Sequence, residues 1–192
     1  DFANSSGRII CIFEAHGHWS LLWGERRDDG LQWLHCDGLP GLTNGVALDL
    51  ATSISTALGL DFCPPQPHCS TPQIDPHTCG TIALVHLFHL LYPSFLIPCQ
   101  DVSLLHSWIL RWNSCRGSIY ATGPADVTFS MKQMQVNLDW LHDQHIQYGI
   151  QWVMTHSPVD TNSLLVISPV QAETLRRQGL RRKNSGIPVT LG

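Results

Sequence analysis

The chain has 192 residues, 43% of them hydrophobic and 14% charged, with a formal net charge of −4. That length suffices for one domain with a sizeable core, and the composition is too apolar for wholesale disorder. No apolar run approaches the ~20 residues of a membrane helix, and the mild acidity gives no reason to expect nucleic acid as the main partner.

The elements can be taken in chain order. Asp1 to Gly7 lack the basic flank and apolar stretch of a signal peptide. Arg8 to Phe13, Trp19 to Trp23 and Leu31 to Cys36 are β-type runs. The polar stretch Gly24 to Gly30, ending in Asp-Gly, reads as a hairpin loop between the last two. Asn44 can cap a helix from about Val46, with Ala47, Leu50, Ala51, Ile54 and Leu58 on one face and Gly59 as its stop. Cys63-Pro64-Pro65-Gln66-Pro67 is a rigid loop. Gly80 to Leu91 is apolar nearly all round, which predicts a buried helix closed by Pro93. Ser103 to Trp112 and Ser130 to His145 follow as helices, the second carrying Met131, Met134, Leu138 and Leu141. Trp108, Trp112, Trp140 and Trp152 are expected to pack this second half. The order predicts an α+β fold with a central mixed β-sheet flanked by helices.

Charge divides the chain. Residues 1–160 hold 14 acidic and 6 basic side chains, whereas residues 161–192 hold 1 and 5. The first part is read as the domain. The second, with Arg176, Arg177, Arg181, Arg182 and Lys183, is read as a flexible basic tail, the one place where nucleic acid could be met. Seven cysteines, an odd number without a CxxC pair, argue against zinc ribbons and thioredoxin chemistry. They point to reduced thiols in an intracellular compartment, cytoplasm or nucleus.

Cys79 opens the predicted buried helix. Unpaired amide donors and the helix dipole there favour a thiolate, the form in which cysteine is a nucleophile. Gly80 leaves room for a substrate backbone. His18 opens the second strand and Asp37 ends the third. If the hairpin pairs these strands, Asp37 can accept a hydrogen bond from one imidazole nitrogen and leave the other to face a thiol.

His18-Trp19 at a strand start, an Asp one hairpin later, and Gln-x5-Cys-Gly before an apolar helix form a more specific set than any one of them. Over roughly Arg8 to Pro93 the chain resembles the ubiquitin-like-protein-specific proteases, the SUMO proteases, of the cysteine-protease clan that includes adenovirus proteases. The resemblance implies a papain-like fold with the chain order His-Asp-Gln-Cys, helical completion over 100–156 within a domain of residues 1–160, and no metal or organic cofactor. It implies Cys79 as nucleophile, His18 as general base and then acid, and Asp37 as the group that orients the imidazole. It implies Gln73 as an oxyanion donor and Trp19, with Thr78 and Gly80, as walls of a narrow channel for a Gly-Gly tail. Thr78 stands where the family often has Asp, and it can serve as a helix N-cap. The implied partner is a ubiquitin-like protein or a similar polyprotein site. Family members carry a substrate-gripping region before the His strand; here His18 lies eighteen residues in, so the sequence is a fragment or grips its substrate differently. A looser resemblance is to protease-like domains encoded by mobile elements.

Other readings use the same residues. Cys63, His68, Cys69 and His77 could be a metal cluster, but their spacings fit no common ligand pattern. His16, two residues before His18, would point the same way in an extended strand and is its rival as base. His86, His89 and His106 read as core or partly exposed histidines. A clan-related acetyltransferase or a non-catalytic protease-like binding module are the alternative functions, although no basic phosphate-binding set stands near the motifs.

Overall fold

The computed structural model describes residues 7–39, 41–93, 102–112, 140–156 and 163–183. Three strands lead: β1 (Arg8–Ala15), β2 (His18–Arg27) and β3 (Gly30–Cys36). His16 and Gly17 join the first two with φ of 57° and 73°, the paired positive values of a tight hairpin turn. The rival base His16 is therefore an exposed turn residue rather than part of an extended strand. The second hairpin is tighter than the expected seven-residue loop. Glu25, Arg26 and Arg27 stay in the β2–β3 ladder, and only Asp28 and Asp29 turn. Backbone pairing is indifferent to side-chain charge, and Gly24 is there for close approach: a Cβ on it would meet the Trp33 ring at 2.6 Å.

Helix α1 (Asn44–Leu58) buries Ala47, Leu50, Ala51 and Ile54 and ends at Gly59 in the left-handed region. The short strand β4 is Gln66–His68. Helix α2 (Cys79–Leu91) is buried on nearly every face, and α3 spans Val102–Trp112. The helix expected over Ser130–His145 differs. Residues 130–139, with Met131, Met134 and Leu138, lie outside the described residues, and α4 runs from Asp143 to His156. Its start is set by His142, whose carbonyl accepts the amides of His145 and Ile146 while its own N–H donates to His145 Nδ1 at 3.0 Å.

The largest correction concerns the tail. Leu164–Ile167 form strand β5, and Pro169–Lys183 form helix α5. Four consecutive apolar residues pair in parallel with β1, and α5 lies against α1 and β1. The helix start was written in Ser168-Pro169-Val170-Gln171. Ser168 N–H donates to Gln171 Oε1 and Gln171 N–H to Ser168 Oγ, a reciprocal capping box with proline at the first helical position. The basic residues are partly consumed locally: Glu173 accepts from Arg176 and Arg177, both at 2.6 Å. Ser168→Ala is expected to lower stability by about 0.5–2 kcal/mol, read as a shift in a urea unfolding midpoint.

The mixed sheet has the order β4-β3-β2-β1-β5. On one face Ile10, Ile12, Trp19, Leu21 and Trp23 pack against α2 and α4. On the other, Ile9, Cys11, Phe13, Leu22 and Trp33 pack against α1 and α5. The fold is thus α+β with a five-stranded mixed sheet flanked by helices. Among the described residues no helix is long and apolar enough to cross a membrane.

Candidate active site

Strand register brings the first pair together. In the β2–β3 ladder Leu21 lies opposite Cys36, so the start of β2 and the residue after β3 share one end of the sheet. There His18 Nε2 donates to Asp37 Oδ1 at 2.6 Å, and both side chains are buried, 4% and 3% exposed. Helix α2 packs on β2 and delivers Cys79 at its first residue. With Nε2 held by Asp37, Nδ1 is the imidazole nitrogen left for Cys79, whose sulfur is close enough to act on the titration of His18.

The electrostatics follow from these contacts. Burial disfavours a charged His18, but the bonds to Asp37 and Cys79 and the charges of both outweigh it, and its pKa is raised to about 9. Burial likewise opposes ionisation of Asp37. Hydrogen bonds from His18, the Leu39 amide and Thr43 prevail and hold the carboxyl below its usual range. The arrangement is an imidazolium–carboxylate pair at neutral pH with a sulfur on its far side.

Asp37 is supported by residues that the sequence reading did not single out. Thr43 Oγ1 donates to Asp37 Oδ2 at 2.9 Å. The same hydroxyl is held by Ser20 Oγ at 2.8 Å and by His35 Nε2 at 3.0 Å. Since the carboxylate takes the Thr43 proton, both neighbours donate to Thr43. The Asn44 side-chain amide lies 3.0 Å from His35 Nδ1, where a neutral ring donating through Nε2 accepts from the Asn44 N–H₂, so Asn44 serves His35 rather than capping α1. Burial pushes the His35 pKa down, against the pull of Asp37 and the Asn44 bond. The local signal was His35 two residues before Asp37, on the same side of a strand. Thr43 had no signal, because a loop brings it back.

Gln73 is placed beside the pair by its backbone: its N–H donates to the carbonyl of Gly38 at 2.9 Å, tying the loop before α2 to the end of β3. Its side-chain amide donates to the Asp75 carbonyl, and its buried Oε1 has no hydrogen-bond partner. Thr78 precedes Cys79 but makes no side-chain cap. Asp75 does the anchoring, accepting from the His77 amide at 2.8 Å and from Thr78 N–H and Oγ1 at 3.0 and 2.8 Å.

The remaining residues sit differently from the channel expected of them. Trp19 is buried in the core face that includes Cys79, and its Nε1 donates to the Leu141 carbonyl at 3.1 Å. It also lines a cavity of about 350 Å³ with Glu14, Asp143, Glu173 and Arg176, a lining that includes neither His18 nor Cys79. Gly80 faces α4: a Cβ there would meet Ile146 Cδ1 at 2.9 Å and Leu141 Cβ at 3.2 Å, so the close approach it allows is that of another helix. Gly80→Ala is expected to cost about 1–3 kcal/mol through overpacking, measured by thermal or urea unfolding. Of the tryptophans, Trp140 is 44% exposed and stands edge-on to His77, ring centroids 5.6 Å apart, while Trp152 packs partly buried against the α2 core.

The cysteines described, Cys11, Cys36, Cys63, Cys69 and Cys79, form no disulfide. His68 does not gather Cys63 and His77 as the sequence reading considered; its neighbours are Cys36 and His86. His89 Nδ1 is bonded to Ser70 Oγ and the buried His106 Nδ1 to Thr81 Oγ1.

Comparison with family models, with curated proteins and with solved structures found no match for this chain.

Proposed function

We propose that the chain is a cysteine peptidase of the isopeptidase kind, cleaving after a small, Gly-ended tail of a ubiquitin-like protein or a similar polyprotein site. In this reading the fold is papain-like with the chain order His18, Asp37, Gln73, Cys79. The observation that carries it is His18, hydrogen-bonded through one nitrogen to Asp37, with Cys79 near enough to influence its charge and placed at the first residue of a buried helix.

The sulfur of Cys79 attacks the carbonyl carbon of the scissile bond, and the oxyanion forms near the first amides of α2, which lack partners within the helix. Gln73 supplies a side-chain N–H to the same oxygen. Collapse breaks the C–N bond, and the amine leaves with a proton from His18. Water, deprotonated by His18, then attacks the thioester and expels the sulfur of Cys79, and the proton taken from the water restores the His18 imidazolium. Asp37 remains ionised throughout and keeps the imidazole oriented, while Thr43, His35 and Ser20 hold Asp37.

The test is a Gly-Gly-tail electrophile, such as a vinyl ester or aldehyde, read by intact-mass spectrometry. Cys79 is 2% exposed, so labelling is followed over time rather than at one point. Single-site labelling that disappears in Cys79→Ala supports the reading. An unlabelled wild type beside a reactive control protease, or equal labelling of Cys79→Ala, overturns it.

A further inference from the structure

Cys36 is the last residue of β3, immediately before Asp37. Parallel pairing with β4 sets His68 opposite it. His86 lies seven residues after Cys79 on α2, two turns on and therefore on the same face of that helix. One ligand atom from each of Cys36, His68 and His86 falls within 4.8 Å of the other two.

We propose that Cys36, His68 and His86 form a site for a thiophilic divalent cation, with Zn²⁺ as the ion it fits best. The donor set is one sulfur and two imidazole nitrogens, the mixture that zinc accepts in tetrahedral sites. Acidic oxygen donors, which would turn the choice to magnesium or calcium, are missing from the cluster. A second observation points the same way. His86 is 1% exposed, its Nδ1 has no hydrogen-bond partner, and its Nε2 reaches only the Thr71 carbonyl at 3.4 Å. An imidazole so buried and so poorly bonded is costly unless another group uses its nitrogen.

The three residues also come from three elements, β3, β4 and α2, so an ion between them would cross-link a three-residue edge strand to the sheet and to the Cys79 helix. Zinc bond lengths near 2.3 Å to sulfur and ~2.0–2.1 Å to nitrogen put tetrahedral donors about 3.4–3.6 Å apart. Small side-chain rotations from the present separation reach that. Three protein ligands leave a fourth position, available to water. Of the three, His68 borders a cavity of about 140 Å³ that is also lined by Pro67, Cys69, His35, Asn44 and Asp37. Coordination takes the Cys36 sulfur as thiolate, so its proton passes to solvent as the ion binds.

The experiment titrates Co²⁺ into the EDTA-treated full chain and follows absorbance. One equivalent is expected to produce a sulfur-to-cobalt charge-transfer band with intense visible transitions of tetrahedral cobalt, removed by stoichiometric Zn²⁺. Cys36→Ser should lose the charge-transfer band. His68→Gln and His86→Gln should each weaken Zn²⁺ binding at least as much as the ~10–100-fold cost of losing a second-shell partner. Cys79→Ala should keep the band. A wild type without the band, a band that survives Cys36→Ser, or one that vanishes in Cys79→Ala overturns the proposal; the last would put the metal on the candidate active site. His68 lies on an edge strand, so where the buried replacements lose helical circular dichroism, His68→Gln alone decides.

Discussion

Cys79→Ala is expected to lower kcat/KM toward a Gly-Gly-ended ubiquitin-like substrate by at least about a thousandfold, because no other group in the site can form the covalent intermediate. The serine variant should be nearly as poor, since a hydroxyl at the start of α2 is a much weaker nucleophile than a thiolate. Stability should hardly move. Cys79 packs among Ala83, Leu84 and Leu141, and losing one sulfur atom from a helix terminus leaves only a small space. Parallel assays of hydrolysis and of urea unfolding separate the two effects. Turnover that persists in Cys79→Ala would end the peptidase reading.

Asp37 is the second position with a large expected effect, and it acts on both chemistry and stability. Asp37→Asn keeps the volume but can donate to the imidazole, and the tautomer that leaves Nδ1 facing Cys79 is then disfavoured. The general scale for such a change is a loss of about 10⁴ in kcat. Asp37→Ala leaves a buried imidazole, Thr43 and the Leu39 amide without their acceptor, with an expected cost of about 3–5 kcal/mol.

The pH dependence has a definite sign. The folded-state pKa of His18, about 9, lies above the ordinary histidine value of 6.5. Its contribution to stability is therefore fully present below about pH 6.5 and is lost as pH rises through about 9. Asp37 is shifted the other way, so its contribution is present above its ordinary value and is lost as pH falls through its depressed one. Unfolding free energy measured from pH 5 to 10 should show an alkaline decline in the wild type. In Asp37→Asn the hydrogen bond that leads the upward shift of His18 is gone, and that decline should begin at lower pH. An unchanged alkaline limb would mean that the His18–Asp37 bond does not set it.

What could be read from residues alone divides along physical lines. His18 and Asp37 were legible as a pair because a short hairpin with one face buried specifies its register, and that register sets the start of β2 beside the end of β3. Cys79 was legible because an apolar-all-round run announces a buried helix and therefore a sheltered N-terminus. The function of Gly80 was misjudged for the converse reason: its neighbour is Leu141, sixty-one positions on, and nothing local reports that approach. The tail was misread because net charge outweighed the short run Leu164–Ile167 and the Ser168–Gln171 capping box, both plainly present.

The sequence by itself determined the strands β1 to β3, helices α1 to α3, the α+β class and the candidates His18, Asp37 and Cys79, since each rests on short-range periodicity, capping or a single hairpin. Only the tertiary structure decided that Thr43, His35 and Ser20 stand behind Asp37, that Leu164–Lys183 close one side of the sheet, and that Cys36, His68 and His86 share one spot. Those groupings depend on how separate elements stack, and stacking is set by the summed burial of whole faces rather than by the residues that happen to meet there.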